Sequence, residues 1–312
     1  MLIPVFITGG LLLLLGGAEA LVRGSSALAF RLGMRPLLIG MTVVAFGTSM
    51  PEMVVSVQAV LSGQTGISIG NVIGSNICNL GLILGLSGII RPLIVQSQTI
   101  RTDVPVMIGS ALLMILFIIS PGLTRLEGVI LLSFMGLFLG YSLAQTRHDQ
   151  KRIKLMDLGV GDIRQIPLIR IILYVLFGLI GLILGAHLFI QGAIGLAILW
   201  GVSETVVGLT LVAVGTSLPE LATSLVAVLR KESDIAVGNV IGSNIFNTLG
   251  ILGVTSTVKP IQLIPVSWLS LGIMFGLSLL CLPFLKSGFR LSRVEGSVLL
   301  IIYSGYIFML VC

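Results

Sequence analysis

Gly40-Met-Thr-Val-Val-Ala-Phe-Gly-Thr-Ser-Met-Pro-Glu52 returns later in the chain as Gly208-Leu-Thr-Leu-Val-Ala-Val-Gly-Thr-Ser-Leu-Pro-Glu220. Each copy sets one carboxylate inside an apolar run. The offset that carries Glu52 onto Glu220 also carries Gly70-Asn-Val-Ile-Gly-Ser-Asn-Ile-Cys-Asn79 onto Gly238-Asn-Val-Ile-Gly-Ser-Asn-Ile-Phe-Asn247. It therefore aligns Thr48 with Thr216, Ser49 with Ser217, Ser75 with Ser243 and Asn79 with Asn247. The chain is one plan written twice.

Hydrophobic residues make up 56% of the 312 and charged residues 10%, and the mean hydropathy is +1.15. A soluble domain of this length does not carry that balance, so the chain reads as an all-α polytopic membrane protein. Runs of about 20 apolar residues, enough for a helix to cross ~30 Å of hydrocarbon, fall at 4–32, 38–61, 68–90, 103–120, 126–145, 169–199, 205–229, 235–258, 264–285 and 294–311. Ten spans, five per half, are expected. The first run lacks a preceding basic segment, so it reads as a span and not as a signal peptide. Cys78, Cys281 and Cys312 lack metal-binding spacing and read as small buried hydrophobes.

The net charge of +6 raises the question of nucleic acid. The basic residues instead follow the loops between spans, which excludes a nucleic-acid stripe. With both termini outside, the inward loops hold Arg31, Arg35, Arg91, Arg101, the run from Arg147 to Arg170, Arg230, Lys231, Lys286, Arg290 and Arg293. The outward loops hold only Arg125 and Lys259. The positive-inside rule selects that orientation. Five spans per repeat then make the second half an inverted copy of the first, the arrangement found in secondary transporters. Residues 1–145 form the first repeat, 146–168 a short charged cytoplasmic linker, and 169–312 the second repeat.

Ala45, Thr48, Ser49 and Glu52 share one helical face, as do Ala213, Thr216, Ser217 and Glu220. Pro51 and Pro219 each remove a helical hydrogen bond, so the helix should open near Gly47 and Gly215 and release carbonyls. A carboxylate at the bilayer centre costs at least ~2.5 kcal/mol, so Glu52 and Glu220 read as functional acids rather than as protonated core acids. No Lys or Arg lies beside them in the motifs. Carboxylates, hydroxyls, amides and carbonyls form an all-oxygen set suited to hard cations such as Ca²⁺ and Na⁺, and poorly suited to Zn²⁺ or Cu²⁺.

Asn71, Ser75 and Asn79, with Asn239, Ser243 and Asn247, recur every fourth residue as a polar ridge. Ser75, Asn79, Ser243 and Asn247 are expected to face the glutamates. For Asn71, Asn76, Asn239 and Asn244 two readings stand side by side, helix-helix packing and ion contact. Glu19 and His187 also correspond at the offset and read as polar packing or as contacts along a pathway. No nucleophile-base pair and no His-Glu-x-x-His motif is present, so the chain is not read as an enzyme, and no cofactor is implied.

Gly-Thr-Ser-x-Pro-Glu followed by Gly-Asn-x-Ile-Gly-Ser-Asn-Ile-x-Asn, twice, resembles the two alpha repeats of the cation/calcium antiporter superfamily, in particular its prokaryotic sodium/calcium exchangers. The resemblance implies ten helices with outside termini in a prokaryotic cell (inner) membrane. It implies Ca²⁺ on Glu52, Glu220 and the carbonyls of Thr48 and Thr216. It implies Na⁺ on the same acids with Ala45, Ser49, Ser75, Ala213, Ser217 and Ser243, while Asn79 and Asn247 line the centre. Relatives often place an acid at one of the last two positions; two amides here leave two formal charges and point to potassium independence. Proton/calcium exchangers of the superfamily place a glutamate soon after the Gly-Asn pair, where this chain has Ile73, Gly74 and Ser75. The large cytoplasmic calcium-sensing loop of animal exchangers has no counterpart.

The expected function is an antiporter exchanging Na⁺ for Ca²⁺ by alternating access, the two ions competing for the paired glutamates. The first and sixth spans, long enough to require steep tilt, are the pair that the resemblance casts as sliding. The alternative is an antiporter coupled to protons or carrying another divalent cation. The expected partners are the two ions and the lipid bilayer.

Overall fold

Backbone N–H and C=O groups in hydrocarbon must be satisfied without water, and a helix does this within one segment. The computed structural model describes residues 2–119, 122–153, 166–199, 213–262 and 267–311, without the side chains at 145–153, 213, 214, 262 and 311, and these residues are overwhelmingly helical. The helices are α1 (Leu2–Leu32), α2 (Pro36–Thr48), α3 (Met50–Leu61), α4 (Thr65–Ile90), α5 (Thr99–Ile119), α6 (Arg125–Ile153), α7 (Leu168–Leu199), α8 (Ala213–Thr216), α9 (Leu218–Leu229), α10 (Ser233–Val258), α11 (Trp268–Lys286) and α12 (Arg293–Val311). Among the described residues eight helices are long and apolar enough to cross a membrane, or nine if the broken pair α2 and α3 is one span. The expected seventh span, 205–229, is described only from residue 213. Helix α6 runs to Ile153, past the expected end at 145. Cys312 and most of the expected linker lie outside the described residues.

Local structure repeats with the period of the sequence. The repeat offset carries both ends of α3 onto those of α9 and both ends of α4 onto those of α10, and both long helices widen into a π-helical turn, at Cys78–Ile83 and Phe246–Ile251. Regular helix stops at Ser49 (φ −82°, ψ 6°) and at Ser217 (φ −87°, ψ 6°). The stop falls after Gly47 and Gly215, because Pro51 and Pro219 sit in the first turn of a new helix, where a missing N–H costs nothing. The two glycines serve packing instead: a Cβ on Gly47 would collide with Leu179, and one on Gly215 with Ile190.

Two compact units divide the chain, one drawn from residues 1–48 and 136–239, the other from 49–135 and 240–312. In the first, α1 and α7 lie in close contact along their small residues. A Cβ on Gly17 would stand 2.7 Å from Leu182 N, and one on Gly185 would stand 2.7 Å from Leu14 N. Without a hydrophobic drive in lipid, such backbone-to-backbone fit is what holds apolar helices together. Their other faces expose Leu12, Phe177 and Leu184.

In the second unit α12 packs on α4, where Gly296 meets Gly85 and Tyr303 meets Gly81. Two short antiparallel ladders tie its loops. Strand β1 (Leu93–Ile94) pairs with β4 (Arg290–Leu291), Leu93 opposite Leu291, and β2 (Gly122–Leu123) pairs with β3 (Ile261–Gln262), Leu123 opposite Ile261. Every residue in the apolar window of α10 is buried, against 22% of that in α7. A helix buried all round while carrying Asn239, Ser243, Asn244 and Asn247 has to place those groups on partners or on a ligand.

Candidate cation-binding site

In the first unit Thr48 ends α2, and Ser217 stands at the break before α9, whose first turn carries Glu220. Ala45, Thr48, Ser217 and Glu220 are buried, Thr216 is partly exposed, and the side chain of Ala213 lies outside the described residues. Glu220 opens the first turn of α9, where the partial positive charge of a helix N-terminus favours a carboxylate. Helices α2 and α10 cross closely because both crossing residues are glycine: a Cβ on Gly40 would stand 2.9 Å from Ile235 O, and one on Gly238 3.1 Å from Met41 N. That approach lets Asn239 reach both the end of α2 and the first turn of α9. Its Nδ2 donates to Glu220 O at 3.3 Å and to Ser224 Oγ at 3.0 Å, while its Oδ1 accepts from Thr48 Oγ1 at 3.2 Å.

The second unit repeats part of this. Asn71 Nδ2 donates to Glu52 O at 3.1 Å and to Ser56 Oγ at 2.9 Å, and Glu52 opens the first turn of α3. Ser49, Glu52, Ser75, Asn79, Ser243 and Asn247 are all buried. Ser75 Oγ donates to Asn71 O at 2.7 Å, and Asn247 Nδ2 donates to Ser75 Oγ at 3.0 Å and to Asn76 Oδ1 at 3.1 Å. Asn76 in turn donates to Thr248 Oγ1 at 3.0 Å. By contrast both amide atoms of Asn79, the hydroxyl of Ser243 and Oδ1 of Asn247 are buried with no hydrogen-bond partner among the described residues. Buried polar atoms are seldom left this way. Of those four atoms the three oxygens can each give a lone pair, the kind of donor a hard cation takes, while Asn79 Nδ2 can only donate.

The four ridge asparagines for which two readings stood all make hydrogen bonds within the protein. Asn71 and Asn239 hold the glutamate helices, Asn76 braces Asn247, and Asn244 donates to Val240 O of its own helix at 2.8 Å. Ser56 and Ser224 escaped the sequence reading. The signal was present, since each serine stands one turn after its glutamate and the repeat offset carries one onto the other.

Glu19 forms ion pairs with Arg23, one turn on, and with Arg230 at the C-terminus of α9. His187 lies 2.9 Å from Gln191 Nε2. Both therefore bond to neighbours on or beside their own helices. Among the described residues no three of His, Cys, Asp and Glu gather into a metal cluster.

Comparison with known proteins places these motifs in a family. The model of the family described as sodium/calcium exchanger protein matches residues 2–144 and 170–312. CaxA of Alkalimonas amylolytica, whose name marks it as a candidate antiporter, is 37% identical over 311 residues, covering 98% of this chain and 98% of its own. The sodium/calcium exchanger MaX1 of Methanosarcina acetivorans is 32% identical, with 96% of each chain covered. The solved structure of the sodium-calcium exchanger NCX_Mj, soaked with 2.5 mM Na⁺ and 0.1 mM Ca²⁺, matches with a TM-score of 0.85 at 34% identity, covering 98% of both chains.

Proposed function

The chain belongs to the sodium/calcium exchanger family, and from that premise we propose that it exchanges Na⁺ for Ca²⁺ by alternating access, with Glu52 and Glu220 each giving a carboxylate to the transported ion. It is a membrane antiporter of cations and not an enzyme, as its relatives are. The observation that carries the finer reading is a local geometry that recurs in both repeats. Each buried glutamate opens a helix after a Ser-x-Pro stop, and a ridge asparagine grips its backbone carbonyl. Ca²⁺ takes six to eight oxygens at about 2.3–2.6 Å, and carboxylates, carbonyls, hydroxyls and amide oxygens supply that type of donor.

In this reading Thr48 and Thr216 lend carbonyls to Ca²⁺. Ala45, Ser49, Ser75, Ala213, Ser217 and Ser243 serve Na⁺, and Asn79 and Asn247 line the centre. One Ca²⁺ or two or more Na⁺ neutralise two carboxylates, so competition for the same oxygens couples the fluxes. The unpartnered atoms of Asn79, Ser243 and Asn247 favour a bound cation over simple packing.

The proposed architecture is ten spans in two inverted repeats, 1–145 and 169–312, joined by 146–168, with both termini outside a prokaryotic cell (inner) membrane. Contact exchange supports the repeat relation. Gly17 meets Leu182 and Gly178, and its counterpart Gly185 meets Leu14 and Gly10, so shifting every partner by the repeat offset turns one set into the other. The strand pairs Leu93 with Leu291, and Ile261 with Leu123, exchange in the same way. A two-fold relation between repeats requires such exchange. Helices α1 and α7, 31 and 32 residues long and lipid-facing on one side, are the proposed sliding pair.

The test is ⁴⁵Ca²⁺ uptake into proteoliposomes with and without an outward Na⁺ gradient. The reading expects uptake that needs the gradient and survives a proton ionophore. Uptake driven by a pH gradient alone would move the protein to proton-coupled exchange.

A further inference from the structure

Asn239 is fully buried, and its side-chain amide uses both ends. The orientation follows from the partners. Glu220 O, a backbone carbonyl, can only accept, so the amide atom facing it must be Nδ2. Ser224 Oγ takes the other amide proton, which leaves Oδ1 to face Thr48 Oγ1, a hydroxyl able to donate. One side chain thus ties the last residue of α2 to the first turn of α9, segments that belong to opposite halves of the sequence.

We infer that Asn239 is a positioning residue which fixes the Thr48 carbonyl and the Glu220 carboxylate at the spacing a divalent cation needs. This rests on the site reading proposed above. Ca²⁺ to oxygen distances span only a few tenths of an ångström, so both donors must be held from behind. Asn239 can do so without touching the ion, because it grips the hydroxyl of Thr48 and the main chain of Glu220 and leaves the Thr48 carbonyl and the Glu220 carboxylate outside its own bonds. Thr48 has one hydroxyl proton and three acceptors within reach: Val44 O at 3.0 Å, Ala45 O at 3.4 Å and Asn239 Oδ1 at 3.2 Å. Asn239 therefore competes with the helix of Thr48 for that proton, and the competition adjusts the last turn of α2.

The test is Na⁺-driven ⁴⁵Ca²⁺ uptake by purified protein in liposomes, reading half-saturating Ca²⁺ and maximal rate separately. Thr48→Val keeps shape and carbonyl while removing the bond to Asn239, and should raise half-saturating Ca²⁺ about 2- to 10-fold, the loss falling on affinity more than on maximal rate. Thr48→Ser should recover most of that loss. Asn239→Leu should raise it further, and Thr48→Val added to Asn239→Leu should change little more, since the bond is already gone. Full additivity of the two changes, or an unaltered half-saturation in Thr48→Val, overturns the inference. Should Asn239→Leu fail to fold, Ser224→Ala replaces it, and its change in half-saturating Ca²⁺ has to be non-additive with that of Thr48→Val. The parent protein's own uptake tests the site reading, so failure there is distinct from failure of the variants.

Discussion

Asn79 and Asn247 occupy the same place in two copies of one motif, each the second residue of a π-helical turn, yet their amides live differently. Asn247 spends Nδ2 on Ser75 and Asn76, whereas Asn79 has no hydrogen-bond partner for either amide atom among the described residues. Their neighbours differ in step: Ser75 donates to its own helix, and Ser243 has no partner among the described residues. Near-equal sequence, differing for example at Cys78 against Phe246 and at Leu80 against Thr248, shows unequal hydrogen bonding. Such inequality between two copies is what one conformation of the proposed alternating-access exchanger would show, since passing to the other conformation swaps the roles of the repeats.

The harshest way to break the comparison lies at the acids, where the copies should be equivalent. Glu52→Gln and Glu220→Gln each remove half of the formal charge of the proposed site, and each should reduce Na⁺-driven Ca²⁺ flux by about 100-fold or more while the purified protein stays folded. A variant of either acid that keeps near-normal flux would falsify the shared carboxylate site.

At the asparagines the copies should part. Asn247→Leu strands Ser75 and Asn76 without their donor and should lower unfolding stability in detergent by about 1–3 kcal/mol. Asn79→Leu deletes no hydrogen bond between described residues, so its stability should hold while Ca²⁺ transport falls. Equal losses of stability in the two variants would mean that the asymmetry is absent from the protein in solution.

Acidification probes both copies at once. If Glu52 and Glu220 hold the transported ion as proposed, protons and Ca²⁺ compete for their oxygens, so half-saturating Ca²⁺ should rise several-fold between mildly alkaline and mildly acidic medium. A flat profile would argue that the carboxylates never meet the transported ion.

Glu19 should give the smallest effect. It is about one-third exposed and paired with two arginines, and partly exposed ion pairs contribute about 0–1 kcal/mol. Glu19→Gln should therefore change flux by less than about 5-fold. A loss matching that of Glu52→Gln would promote Glu19 from a surface pair of α1 to a part of the ion path.

Much of this was legible in the chain itself, and the residues say why. The repeat that carries Glu52 onto Glu220, the prolines that interrupt each copy and the spacing of the ridge at every fourth position are local patterns, so sequence states them outright. Eight of the expected spans appear as unbroken helices, with ends within a few residues of those predicted except at the C-terminus of α6, because a long apolar run has few other forms in lipid. The second span appears broken, at Ser49 and not at Gly47, since proline tolerates the first turn of a helix and so begins one.

What only the tertiary structure decided is which polar group meets which. Asn239 to Thr48 joins positions 191 apart, and Asn247 to Ser75 joins positions 172 apart. Nothing in the spacing of the asparagines separated those that hold a helix from those whose amide atoms lack a partner among the described residues, because an amide suits packing and ion contact equally. Burial removed water as the default partner and forced each amide to find another. The glycine crossing at Gly40 and Gly238 set which partners came within reach of Asn239.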